Sequence, residues 1–150
     1  MTETDNNKQI ADLTSKSLIE LLSLEGRCAI VTGGAQGFGA AIVKRLAEAG
    51  ASVVIADRKV DQAGKTVKEM EMNGLRTKSH FVDIFDATTV RDMVRNVVDE
   101  WGSIDILVNN AGIFSNCFFD RMPLEEFQST IDVNVTGTFN CSQAVVHEMK

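Results

Sequence analysis

The segment Thr32-Gly33-Gly34-Ala35-Gln36-Gly37-Phe38-Gly39 carries the chemistry most open to reading in this 150-residue chain. Its glycines at 33, 37 and 39 are spaced GxxxGxG, so a run of backbone N–H groups lies without side-chain cover. The loop falls where an apolar run, Cys28-Ala29-Ile30-Val31, gives way to helical spacing. A strand end that turns into a helix N-terminus presents unpaired amides and the positive end of the helix dipole, an arrangement suited to a pyrophosphate. The spacing departs from GxGxxG, and the alternative is a tight strand–helix turn with no ligand. Asp57 closes a second apolar run, Ser52 to Ala56, and lies 20 residues beyond Gly37. A carboxylate at that interval can accept hydrogen bonds from the hydroxyls of an adenosine ribose and would repel a 2′-phosphate. The two features therefore point to NAD in preference to NADP. Arg58, directly after Asp57, would ease that repulsion, and the plain alternative for Asp57 is a turn or helix cap.

These residues need elements to hold them, and the hydrophobic spacing supplies a set. Cys28 to Val31 and Ser52 to Ala56 read as strands buried on both faces. Gly39 to Ala49 has helical spacing, with Ile42, Leu46 and Ala49 on one face and Gly50 as its stop. Val60, Ala63, Val67 and Met70 define a second helix ending near Gly74. His80-Phe81-Val82 reads as a third strand ending at Asp83. Val90, Met93, Val94, Val97, Val98 and Trp101 define a third helix, started by Asp86 or Thr88 and stopped by Gly102. Ile104 to Val108 is the fourth strand, running into Asn109-Asn110-Ala111-Gly112. A fourth helix opens near Pro123, with Glu125 and Glu126 at its positive end, and its pattern continues to the last residue. The order β-α-β-α-β-α-β-α predicts an α/β fold of Rossmann type, a doubly wound parallel sheet with helices on both faces. Residues 1–24 are polar apart from a short leucine-rich helical stretch and are expected to be a flexible leader. Residues 25–150 are expected to form the domain, incomplete at its C-terminal side.

Three segments together resemble the short-chain dehydrogenase/reductase family: TGGAQGFG at 32–39, NNAG at 109–112, and the asparagine of DVNVTG at 132–137. The resemblance implies that Gly33, Gly37 and Gly39 hold the pyrophosphate, with Gln36 and Phe38 also against the cofactor, and that Asp57 binds the adenosine ribose. It implies that Asp83 bonds the adenine ring with Ile84 packed against it. Asn110, Ala111 and Gly112 would run beside the riboses while Asn109 holds the strands. Asn134 would be the catalytic asparagine, in a kinked helix, holding a water linked to an active-site lysine. Thr136 and Gly137 would supply the kink. Simpler roles compete: Asp83 as a loop cap, Asn109 and Asn110 as turn formers, Asn134 as a solvated helix residue.

The family's chemistry also uses a serine and a YxxxK pair, in which the lysine lowers the pKa of the tyrosine from an ordinary value of about 10. The chain contains no tyrosine. The sequence therefore reads as the cofactor-binding portion of an oxidoreductase that moves hydride between the nicotinamide and an alcohol or carbonyl compound. The 150 residues alone are expected to be inactive. The other function class is a non-catalytic nucleotide-binding chain, or a subunit that pairs with full-length copies. The resemblance implies a homo-oligomer for the full-length form. Composition excludes other classes. At 44% hydrophobic and 24% charged the chain is globular, and its net charge of −6 without a basic cluster argues against nucleic acid as a partner. No apolar run approaches the ~20 residues of a membrane span, and no secretory signal opens the chain. Three cysteines without CxxC spacing give neither a metal site nor a disulfide framework, and a cytoplasmic location is expected. Cys117 and Cys141 read as small hydrophobes.

Overall fold

The computed structural model describes residues 13–149, so the first half of the expected flexible leader, residues 1–12, lies outside the described residues. The ordered elements begin with a five-residue helix α1 (Leu18–Leu22), whose Ser17 and Glu20 form a reciprocal capping box. There follow β1 (Cys28–Thr32), α2 (Gly37–Glu48), β2 (Ser52–Asp57), α3 (Val60–Met72), β3 (Thr77–Phe81), α4 (Ala87–Trp101) and β4 (Ile106–Val108). A single 3-10 turn at Phe119–Arg121 precedes α5 (Leu124–Ile131), which passes through a π-helical segment (Asp132–Gly137) into α6 (Thr138–Val146).

The four strands pair in parallel in the order β3-β2-β1-β4. The chain builds outward from β1 through β2 to β3, then crosses back with α4 to place β4 on the other side of β1. That reversal between β1 and β4 is a topological switch point, and it opens a crevice beyond the carboxyl ends of the strands.

Strand periodicity sorts the core into two layers. Ile30, Val54, Ala56 and Val82 pack with Val90, Met93 and Val97 of α4 and with Cys141 and Val145 of α6. Ala29, Val31, Val53 and Ile55 pack with Val43, Ala47, Ala63 and Met70 of α2 and α3. Every residue of β1 is buried, as expected for a central strand of a parallel sheet covered on both faces. Burial pushes the Cys141 thiol up to about 11, and burial together with the Asp105 carboxylate takes Cys28 up to about 11. Both behave as small core hydrophobes, whereas Cys117 is half-buried.

Four element boundaries differ from the sequence expectation. β3 spans Thr77–Phe81 rather than 80–82, because its Thr-Lys-Ser-His stretch pairs with β2 despite its polarity. An edge strand tolerates polar side chains that a central strand would not. β4 is shorter than 104–108. Asp105 turns its carboxylate onto the Cys28 N–H and the Arg27 guanidinium, and Ile104 makes an isolated parallel bridge with Met149. Helix α2 starts at Gly37, two residues earlier than its spacing suggested. The last helix does not continue to the end of the chain, since the π segment interrupts it and α6 stops at Val146. By contrast, Asp86 caps α4 through the Thr88 N–H at 2.8 Å and Gly102 ends it at φ 80°, as expected.

Ile30 is fully buried in the layer under α4 and α6, while Met72 is 88% exposed. Ile30→Ala is expected to lose about 2–5 kcal/mol in denaturant unfolding, and Met72→Ala to stay within about 0.5 kcal/mol of the parent.

Candidate functional site

Where β1 ends, the chain must turn sharply to enter α2. Gly33 and Gly37 adopt φ +66° and +57°, left-handed values that side chains disfavour. Gln36 precedes α2 in extended conformation without capping it through its side chain, so a cap does not occupy the first-turn amides. A Cβ on Gly37 would meet nothing within 4 Å and would project into open space. Gly39 is constrained differently. A Cβ there would lie 2.1 Å from the Gly33 carbonyl oxygen and 2.7 Å from the Asn110 side-chain nitrogen. Its missing side chain lets the helix close onto its own loop and onto the β4 loop.

The β4 loop is knitted to the end of β1. Thr32, which is buried, accepts through its hydroxyl from the N–H groups of Asn110 and Ala111, both at 3.1 Å. The Asn110 side-chain amide donates in return to the carbonyls of Thr32 and Gly33 at 3.0 and 3.1 Å. On the other side, Asp57 accepts from the Ala35 N–H at 3.0 Å through one oxygen and from the Lys59 N–H at 2.9 Å through the other. The turn-and-cap role considered for Asp57 is thus real, and it fixes the carboxylate at the mouth of the crevice. Asp83 likewise caps its own loop, accepting from the Phe85 N–H at 3.1 Å, and its second oxygen lies 3.6 Å from the Arg58 guanidinium.

The result is one groove of about 640 Å³ at the carboxyl end of the sheet, within the size range of small-molecule sites. Gly33, Gln36, Gly37, Phe38, Gly39, Asp57, Arg58, Asp83, Ile84, Asn110, Ala111 and Gly112, the expected cofactor-binding residues, all line it. Phe38 stands on the rim, 87% exposed. Lys59, Val82, Ile113, Ala56 and Val133 line it as well and were not read as site residues. The first four adjoin expected residues in sequence, so a wall one residue wider would have included them. Thr32 was also missed as the tie between β1 and the β4 loop; its only signal was a hydroxyl at a strand end. Neither histidine borders the groove. Among the described residues, no group of three or more His, Cys, Asp or Glu could hold a metal ion, and no helix is long and apolar enough to cross a membrane.

Asn134 lies in the π segment and reaches the β4 loop. The Ile113 N–H donates to its Oδ1 at 2.8 Å, and its Nδ2 donates to the Ile113 carbonyl at 2.7 Å. The reading of a merely solvated helix residue does not hold, because both ends of the amide are engaged although Asn134 is exposed. The wider π turn shifts the helix phase and aims this side chain at the loop. Asn109 departs from expectation. Its amide donates to the Ser142 hydroxyl of α6 at 3.1 Å, so it holds a helix and not a strand.

The close approach at Gly39 gives a direct test. Gly39→Ala must push two backbone segments apart and is expected to destabilise the fold by about 1–3 kcal/mol in denaturant unfolding. An unchanged midpoint would mean that α2 does not rest on the loop.

A profile of the family described as short chain dehydrogenase matches residues 27–150. The chain is 41% identical over 132 residues to a 3alpha-hydroxysteroid dehydrogenase of Mediterraneibacter gnavus, covering 86% of this chain and 52% of that protein. It is 35% identical over 128 residues to the 3-oxoacyl-(acyl-carrier-protein) reductase FabG of Thermotoga maritima, covering 85% and 52% respectively. A crystal structure of a short chain dehydrogenase from Burkholderia cenocepacia in complex with NADP superposes with a TM-score of 0.78 at 40% identity, over 84% of this chain and 52% of that one. The chain thus spans about half the length of the curated relatives it matches. The sheet order, the switch-point groove and the profile agree, and the chain belongs to the short-chain dehydrogenase/reductase family.

Proposed function

We propose that this chain is the dinucleotide-binding part of a nicotinamide-dependent oxidoreductase acting on an alcohol or carbonyl compound. The observation that carries the reading is the groove, where the uncapped start of α2 and the fixed carboxylate at the end of β2 border the same space. The donor set suits an NAD-type dinucleotide. Backbone amides of the segment Gly37 to Gly39 would donate to its pyrophosphate, and the open space beside Gly37 leaves room for that group. The Asp57 carboxylate, already oriented by two backbone N–H groups, keeps lone pairs for the hydroxyls of the adenosine ribose.

The same carboxylate argues for NAD over NADP, since a 2′-phosphate would face a fixed negative charge. Arg58 and Lys59 are the cations that line the groove, and Arg58 lies beside Asp83, which offsets part of its charge. The NADP complex belongs to the Burkholderia relative and does not decide the preference here. When bound, the nicotinamide supplies the hydride donor or acceptor. This chain's part is to hold the adenosine and pyrophosphate and, through Asn134, to fix the Ile113 backbone at one wall of the groove.

One observation favours a second, non-catalytic reading for the 150 residues taken alone: they contain no tyrosine to serve as the acid or base. General acid–base assistance contributes about 10²–10⁴-fold. The chain alone is expected to give no NAD-dependent oxidation of a panel of secondary alcohols, and turnover comparable to a complete family enzyme would contradict this.

Binding separates the reading from its rivals. ADP-ribose and NAD are expected to bind with about equal affinity and NADP more weakly, by isothermal calorimetry. Gly37→Val should abolish all three, because its side chain enters the open space and strains a left-handed residue by about 1–2 kcal/mol. A folded parent chain that binds none of them would overturn the proposal, and NADP binding as tight as NAD would overturn the role of Asp57.

A further inference from the structure

The groove wall formed by Asp83 and Ile84 belongs to no strand or helix; it is the connection between β3 and α4. Such a connection needs external ties to stay in place. One comes from α4, where the Thr89 hydroxyl accepts from the Asp83 N–H at 3.0 Å and donates to the Asp83 carbonyl at 2.8 Å. The end of β2 supplies two more, the Asp57 carbonyl, which accepts from the Val82 N–H at 3.2 Å, and Arg58, beside the Asp83 carboxylate at 3.6 Å, and α6 with the π segment before it supplies others. The Asn140 side-chain nitrogen lies 3.1 Å from the Ile84 carbonyl and 3.1 Å from the Phe85 carbonyl. A primary amide carries two hydrogens, one for each oxygen. Turning the amide over would set its own oxygen against both carbonyls, so only this orientation satisfies the site. Gly137, three residues earlier and therefore on the same helical face, lets the helix sit directly on Ile84. A Cβ there would come within 2.7 Å of the Ile84 side chain.

We infer that Asn140 is a positioning residue for the adenosine end of the groove: it holds the backbone of Ile84 and Phe85 so that the Ile84 side chain, seated on Gly137, keeps its place in the wall. Asn140 lies outside every motif read from the sequence. The helical unit that carries Asn134 to the Ile113 wall thereby also secures the Ile84 wall, so two sides of the groove share one support. This inference rests on the dinucleotide reading above, and its test has to separate the two.

Asn140→Leu keeps a similar side-chain size but leaves both carbonyls without their donor, and Asn140→Asp sets a carboxylate against them. The probes are ADP-ribose, which reaches the Ile84 wall, and inorganic pyrophosphate, which needs only the glycine loop. In the full chain, both variants should weaken ADP-ribose by about tenfold or more, Asp more than Leu, while pyrophosphate changes by less than about twofold. Unchanged ADP-ribose binding in both variants, with the parent binding normally, overturns the inference and leaves the dinucleotide reading standing. Parallel loss of both ligands also overturns it, because the effect would then be general. A parent chain that binds neither ligand removes the dinucleotide reading and the inference with it.

Discussion

The structure depends on one close approach. Where α2 begins, the Gly39 backbone packs so near the Gly33 carbonyl that no side chain fits between them, and the Asn110 amide fills the remaining space by bonding back to Thr32 and Gly33. Three segments meet there: the end of β1 and the start of α2, joined by one tight turn, and the loop after β4, far along the chain. Thr32 closes the junction from below by accepting two β4-loop amides. The groove is the space this junction leaves open. Anything that widened the junction would move the α2 amides relative to Asp57 and to the β4 loop together.

Burial and hydrogen bonding divide the work. The two apolar layers about β1 and β2 hold the sheet and its helices, and one of them lends Ala56, Val82 and Ile84 to the groove's floor and wall. The loops around it are held by polar groups bonded to backbone: Asp57 to Ala35 and Lys59, Asn110 to Thr32 and Gly33, Asn134 to Ile113, Asn140 to Ile84 and Phe85. Short amide and carboxylate side chains suit this task, because they offer fixed hydrogen-bond geometry with few rotatable bonds.

The sequence was most legible where periodicity and punctuation agreed. β1 and β2 are largely apolar, buried runs, and α4 carries both a clean apolar face and an Asp86 cap. It was least legible where pairing or long-range bonds override composition. The polar Thr77–Phe81 becomes a strand because β2 offers it a backbone partner, and Asp105 shortens β4 because its carboxylate is drawn to Arg27 and Cys28. The expected groove residues converge because each lies near a strand end, and a parallel sheet gathers those ends on one side. What no local pattern could reveal was which partner a side chain chooses across the fold. Asn109 bonds α6, and Asn140, in an apolar helix context, ties down the Ile84 wall.

The central claim is that the strand-end groove is the nucleotide site, and backbone amide NMR tests it most directly. Titration of the folded chain with ADP-ribose should shift the amides of Gly33 to Gly39, of Asp57 to Lys59 and of Asp83 to Phe85, while those at the opposite end of the sheet, around Glu71 to Gly74 and Gly102, stay in place. Shifts confined to that opposite end, or none at saturating ligand, would contradict the account.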